Sequence, residues 1–182
     1  MRVVLETERL VLREFEPADL DPYAAMIGDP ETMRYYPRPY TRDEARDLIE
    51  RNVARYRANG FGLWVIEERG SGAFLGDCGL AVSVVEGITE VEVIWHVIRD
   101  RWREGIATEA ARAVRDHGWA SVGLRRLVAL VRPENEPSVG VARNLGMDME
   151  RAVAHHGLPH LLFATRPPDG PSSVRGPRSP AA

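Results

Sequence analysis

The chain has 182 residues, 44% hydrophobic and 28% charged, which suits one soluble domain with a single sizeable core. The net charge of -3 and pI near 6.0 lack the basic stripe of a nucleic-acid binder. No apolar run reaches membrane-spanning length and the opening MRVVLETERL lacks a signal peptide's apolar segment, so we expect no nucleic-acid partner, no membrane association and a cytoplasmic location.

The elements follow in chain order. LETERLVLREF (5–15) alternates Leu10 and Leu12 with charged neighbours and reads as an opening strand. PADLDPYAAMIGDP reads as a helix with Pro17 at its start and Gly28 near its end. MRYYPRPY, aromatic and proline-punctuated, is a loop or broken helix. Thr41 and Glu44 make a capping box for a helix carrying Ala45, Leu48, Ile49, Val53 and Tyr56 at helical spacing, stopped by Asn59 and Gly60. FGLWVIEE and AFLGDCGLAVSV form a hairpin about the turn RGSG, and ITEVEVIWHVI adds a third antiparallel strand. A helix follows to about Gly118, then a short strand LRRLVALV, a short helix in NEPSVGVARNLGM ended by Gly146, and a final hairpin turning near Gly157 and Pro159. The domain is expected over residues 1–166. The tail 167–182 is rich in Pro, Gly and Ser and is expected to be disordered. The order predicts a single α/β (α+β) domain with a mixed sheet.

The chemistry begins at WREGIATEAARAV (102–114), a glycine-containing turn running straight into a helix. The first turn of a helix has free N–H groups and the positive end of the dipole, which together hold phosphate without lysine. Lysine is in fact absent, since all 24 basic residues are arginine. Trp102, Arg103, Glu104, Gly105, Ile106, Ala107 and Thr108 are therefore the candidate phosphate cradle: Gly105 permits close backbone approach, Ala107 keeps the entrance open and Arg103 adds charge.

The set LETERLVLREFEPADLD, DPETMRYY, GLWVIEE, EVEVIWHVIRDRWREGIATEAARAV and RRLVALVRPENEPSVGVARNLGM resembles, in order and spacing over about residues 3–166, the GNAT N-acetyltransferases, in the branch similar to ribosomal-protein N-terminal acetyltransferases. The resemblance implies a central mixed, mostly antiparallel sheet, splayed between two parallel strands and flanked by helices. It implies acetyl-CoA as cosubstrate and transfer of acetyl, by direct attack in a ternary complex, to a primary amine of a protein N-terminus or a small molecule. In the family's pyrophosphate signature Gly105 and Ala107 match, Trp102 departs at the first position, and Arg103 stands where many relatives have glycine. Pantetheine is then expected on the backbone of Trp95, His96 and Val97, with Asn135 and Ser138 beside it.

Glu92 matches an acidic strand position and is the candidate base for deprotonating an amine; the competing reading is an exposed or salt-bridged carboxylate. Ile94 replaces a glycine that many relatives carry, so a local strand bulge is open to change. Ala142 takes the place of the tyrosine with which many relatives protonate the departing thiolate, leaving Ser138 as donor, unless its role is to serve the helix start. That absence supports an alternative, a non-catalytic acyl-CoA-binding sensor. Tyr35 and Tyr36, with Tyr40, line an acceptor pocket or simply pack. Cys78 lies in an apolar stretch as a structural thiol and, as the one cysteine, excludes an internal disulfide. His155, His156 and His160 lack acidic or cysteine neighbours and read as surface or packing residues, so no metal is expected. His117 is expected to meet a helix dipole, and the apolar hairpin AVAHHGLPHLLFA is a candidate homodimer surface.

Overall fold

A computed structural model describes residues 2–168. Eight strands form one sheet in the order β1-β2-β3-β4-β5-β6-β8-β7. They are β1 (Val3–Glu6), β2 (Leu10–Arg13), β3 (Leu63–Glu68), β4 (Phe74–Val85), β5 (Ile88–Val97), β6 (Leu127–Val131), β7 (Asp148–His155) and β8 (Leu158–Thr165). The helices are α1 (Leu20–Gly28), α2 (Arg42–Asn59), α3 (Ile106–Ala120) and α4 (Glu136–Asn144). The expected tail, beyond residue 168, lies outside the described residues.

The two-residue alternation of the central strands explains how the sheet takes helices on both faces. Trp64, Ile66, Val93 and Val97 pack with Ile106, Ala110, Ala111 and Val114 of α3 on one face. Leu63, Val65 and Ile94 pack with Tyr23, Met26 and Ile27 of α1 and with Ala45 and Ile49 of α2 on the other. Cys78 is fully buried, and burial pushes its thiol up, as a structural cysteine requires. Local signals act as read: Thr41 and Glu44 complete the capping box of α2, and Gly60 closes it in the left-handed conformation.

Three readings need correction. The opening strand is two strands: Thr7 takes the amide of Leu10 on its hydroxyl and folds 5–15 into the β1–β2 hairpin. The last turn lies at His156 and Gly157, both with positive φ, whereas Pro159 sits within β8 opposite Ala154. His117 stands near the end of α3, but its ring packs edge-on against Trp64 and burial lowers its pKa, opposite to what a helix C-terminus alone would do.

All neighbouring strands pair antiparallel except β5 and β6, which are parallel and share the register pair Glu92–Val128. Past that pair β5 continues along β4 to Val97, while β6 continues along β8 to Val131. The sheet therefore forks. The β4–β5 register runs from Val85–Ile88 to Gly76–Val97 without a shift, so Ile94 sits in regular strand where a glycine bulge was at issue.

Candidate active site

The fork places backbone in the open. Ile98 donates to Leu75 O on β4, and the His96 carbonyl also faces β4, where it would lie 2.0 Å from a Cβ at Gly76. By alternation, the amide and carbonyl groups of Val97 and Trp95 point the other way, into the gap. His96 was expected to contribute backbone; its backbone is directed to β4, and what it offers the site is its ring. The Val97 carbonyl is taken by the Trp102 indole N–H at 2.7 Å, which leaves the Val97 amide facing the gap. From β5, the Trp95 indole N–H reaches the hydroxyl of Ser138 on α4 at 3.4 Å. Asn135 caps α4 by accepting the Ser138 amide at 3.2 Å, so the serine hydroxyl is not consumed by the cap.

At the end of β5 the chain turns through a short 3-10 segment into α3. Arg103 and Gly105 both adopt left-handed backbone, with φ of 65 and 80°. This conformation costs an ordinary side chain roughly 1–2 kcal/mol, a strain that Arg103 carries and Gly105 does not. The first intrahelical donor is the Glu109 amide, bonded to Gly105 O, so the amides of Ile106, Ala107 and Thr108 have no helical acceptor. Arg9 ties the turn to the rest of the fold: it donates to Glu104 O and pairs with Glu109, which offsets a carboxylate in the first turn of α3. Arg101 bonds the side chains of Glu104 and Glu68, and Arg103 is exposed.

On the α1–α2 face stand the titratable groups. Glu92 is 9% exposed and accepts from the Ser83 hydroxyl at 2.8 Å and from the Leu130 amide. It is thus neither exposed nor salt-bridged. Burial pushes its carboxyl up to about 7, against the opposing hydrogen bonds. Four residues further along β5, on the same face, the ring of His96 lies between Asp77 and Tyr36: Nδ1 is 2.7 Å from Asp77 Oδ1, and Nε2 is 2.6 Å from the Tyr36 hydroxyl. Asp77 is the residue opposite His96 on β4, fully buried, with Oδ2 unpartnered. Burial works against the imidazolium, but Asp77 and Glu92 together raise the His96 pKa. Tyr35 lies away from this group, with its hydroxyl on Arg34 and the Arg34 guanidinium over its ring.

Sequence reasoning passed over Asp77 because a single acidic residue in the apolar run FLGDCGL has no local partner; the β4–β5 pairing supplies one. The rings of His155, His156 and His160 pack on one another, and no group of three or more His, Cys, Asp or Glu able to hold a metal ion is found among the described residues. No helix among those residues is long and apolar enough to cross a membrane.

Comparison with known proteins agrees with this geometry. The chain is 31% identical over 160 residues to the uncharacterized protein YkkB of Bacillus subtilis, covering 87% of this chain and 93% of that one. It is 33% identical over 151 residues to the uncharacterized N-acetyltransferase p20 of Bacillus licheniformis, covering 80% and 83%. In fold it is similar to RimJ of Mycobacterium smegmatis in complex with CoA-disulfide, at 22% identity and a TM-score of 0.69, covering 87% and 82%. The family model for the acetyltransferase (GNAT) domain matches residues 9–148. With the forked sheet and the turn into α3 in the places that family requires, the chain belongs to the GNAT acetyltransferases.

Proposed function

We propose that the protein transfers acetyl from acetyl-CoA to a primary amine. The observation that carries this reading is the fork beyond Glu92–Val128, where β5 runs on through one short turn to the free amides at the start of α3. The residues present fit the cosubstrate. The amides of Gly105 to Thr108, with the Arg103 side chain, suit a pyrophosphate. The inward backbone of Trp95 and Val97 suits the amide-rich pantetheine arm, whose polar groups need partners once buried. When bound, acetyl-CoA supplies an activated acyl group.

The remaining steps belong to the chain. A primary alkyl amine, with a pKa near 10.4, must lose a proton before it can attack. Glu92, held close to neutral pH by burial, is suited to receive it directly or through water. Ser138, its hydroxyl free of the helix cap, is suited to protonate the leaving sulfur. Two acidic side chains, Asp77 and Glu92, stand on this face, which favours a cationic acceptor such as a protein N-terminus or a small amine.

The test is thiol release from acetyl-CoA with a panel of N-terminal peptides, polyamines, amino acids and aminoglycosides, with mass spectrometry of the product. Release with an amine that gains 42 Da is expected. Binding of CoA with no turnover across the panel would favour the acyl-CoA sensor.

A further inference from the structure

We propose that Tyr36, His96 and Asp77 form a proton relay, in which the Tyr36 hydroxyl meets the acceptor amine and His96 receives the proton. The proposal rests on the transferase reading and adds to it a path that no strand carboxylate provides.

The geometry has a direction. A carboxylate only accepts, so Asp77 holds the proton of His96 on Nδ1 and leaves Nε2 as an acceptor. The partner at Nε2 is the Tyr36 hydroxyl, which therefore donates to it. This is the arrangement by which an acid–imidazole pair draws a proton from a hydroxyl. Asp77 is fully buried and its second oxygen lacks a partner, so its charge is balanced by little other than a positive imidazole. Tyr36 is 39% exposed as a residue, and its hydroxyl is the part turned in toward the sheet and the His96 ring.

The tyrosine is also placed, not merely near. Its loop is pinned by fully buried Met33, by the Tyr36 amide on Met33 O, by the Thr32 amide and hydroxyl on the Asp29 carboxylate, and by the Tyr40 amide on Ile27 O. His96 lies next to Val97, whose amide faces the gap where the thioester is expected. Reacting amine and relay thus meet at the mouth of the fork.

The step balances without a further reactant. An N–H bond of the ammonium breaks, and its electron pair stays on nitrogen. The proton joins the Tyr36 oxygen while the tyrosine's own proton passes to Nε2 of His96. The product is a free amine and an imidazolium beside Asp77, which later yields its proton to solvent. The groups facing His96 are Asp77 from β4, Glu92 from β5 and Tyr36 from the loop, and Tyr23 of α1 and Tyr40 stand behind them.

The experiment uses the full chain. Tyr36→Phe and His96→Gln are expected to lower kcat about a hundredfold, with KM for acetyl-CoA and unfolding midpoint little changed. Asp77→Asn is expected to move the acidic limb of kcat/KM to lower pH, since Asp77 is one of the groups that raise His96. A purely structural network would lower stability without moving that limb. A second measurement needs no turnover: long-range proton–nitrogen spectra should show His96 protonated on Nδ1 when neutral, and titrating above the ordinary 6.5, with Asp77→Asn bringing it down. Wild-type turnover with both Tyr36→Phe and His96→Gln within threefold of it, or the opposite tautomer, overturns the relay. Failure of the transferase reading is separate and appears as no thiol release by the wild type.

Discussion

Glu92→Gln removes a charge from the floor of the fork while keeping side-chain shape. In the wild type burial raises the carboxyl from 4.5 to about 7, so in the folded protein the ionised form is disfavoured by about 3 kcal/mol. The proton is held more tightly in the folded than in the unfolded chain. The contribution to stability is therefore full below about pH 4.5 and is lost as pH rises through 7. Glutamine does not titrate, so the stability gap between variant and wild type should shift in the variant's favour by about 3 kcal/mol between pH 4 and pH 8. The raised His96 loses stability in the same direction; Asp77, the larger of its two raising neighbours, is unchanged in the variant, so only the part that Glu92 contributes is lost, which adds to the gap with the same sign. Urea unfolding at the two pH values reads the gap, and thiol release at pH 8 should fall at least tenfold in the same variant. A gap that stays constant from pH 4 to pH 8 would refute the buried, raised Glu92 on which the argument depends.

Other substitutions test other parts of the site. Arg103→Ala keeps the left-handed strain and loses the charge, whereas Arg103→Gly loses both; both should weaken CoA about fivefold at low salt, and the glycine variant should be the more stable of the two by about 1 kcal/mol. Equal CoA affinity in wild type and both variants would remove Arg103 from the cradle. Asp19→Ala leaves Arg13 buried with Glu67 alone in place of a two-point bond to Asp19 at 2.7 Å, and should cost about 3 kcal/mol in urea unfolding. A loss below 1 kcal/mol would show that Glu67 compensates. Ser138→Ala keeps the α4 cap, because the bond to Asn135 uses the backbone amide, so kcat should drop about tenfold with stability nearly unchanged. An unaltered kcat would leave the leaving sulfur to water.

Legibility followed the range of the interactions. The capping box of α2, the glycine at its end and the β3–β4 hairpin rest on residues a few positions apart, and each stands where the pattern put it. The glycine turn into α3 was readable for the same reason, and the structure adds that Arg103 also takes left-handed backbone there, with a φ of 65°. The split of residues 5–15 into two strands was missed because alternation continues through the turn, and only the Thr7 side chain breaks it. Contacts between distant segments were not readable. Asp77 and His96 are 19 positions apart and meet through strand register, and Tyr36 joins them from another loop. Arg13, Asp19 and Glu67 likewise form a buried ionic cluster from three segments, each of which reads alone as surface charge. The family resemblance assigned the backbone of Trp95, His96 and Val97 to one task, although the backbone groups of neighbouring strand residues face opposite ways.

The most direct test of the account is calorimetric titration of CoA into the full-length protein, repeated with desulfo-CoA and at raised salt. The fork and the α3 turn predict saturable binding at one site per chain, micromolar, retained without the sulfur and weakened by salt because phosphate contacts carry part of it. No saturable heat with either ligand would contradict the assignment of residues 102–108 and the fork beside them as a coenzyme site.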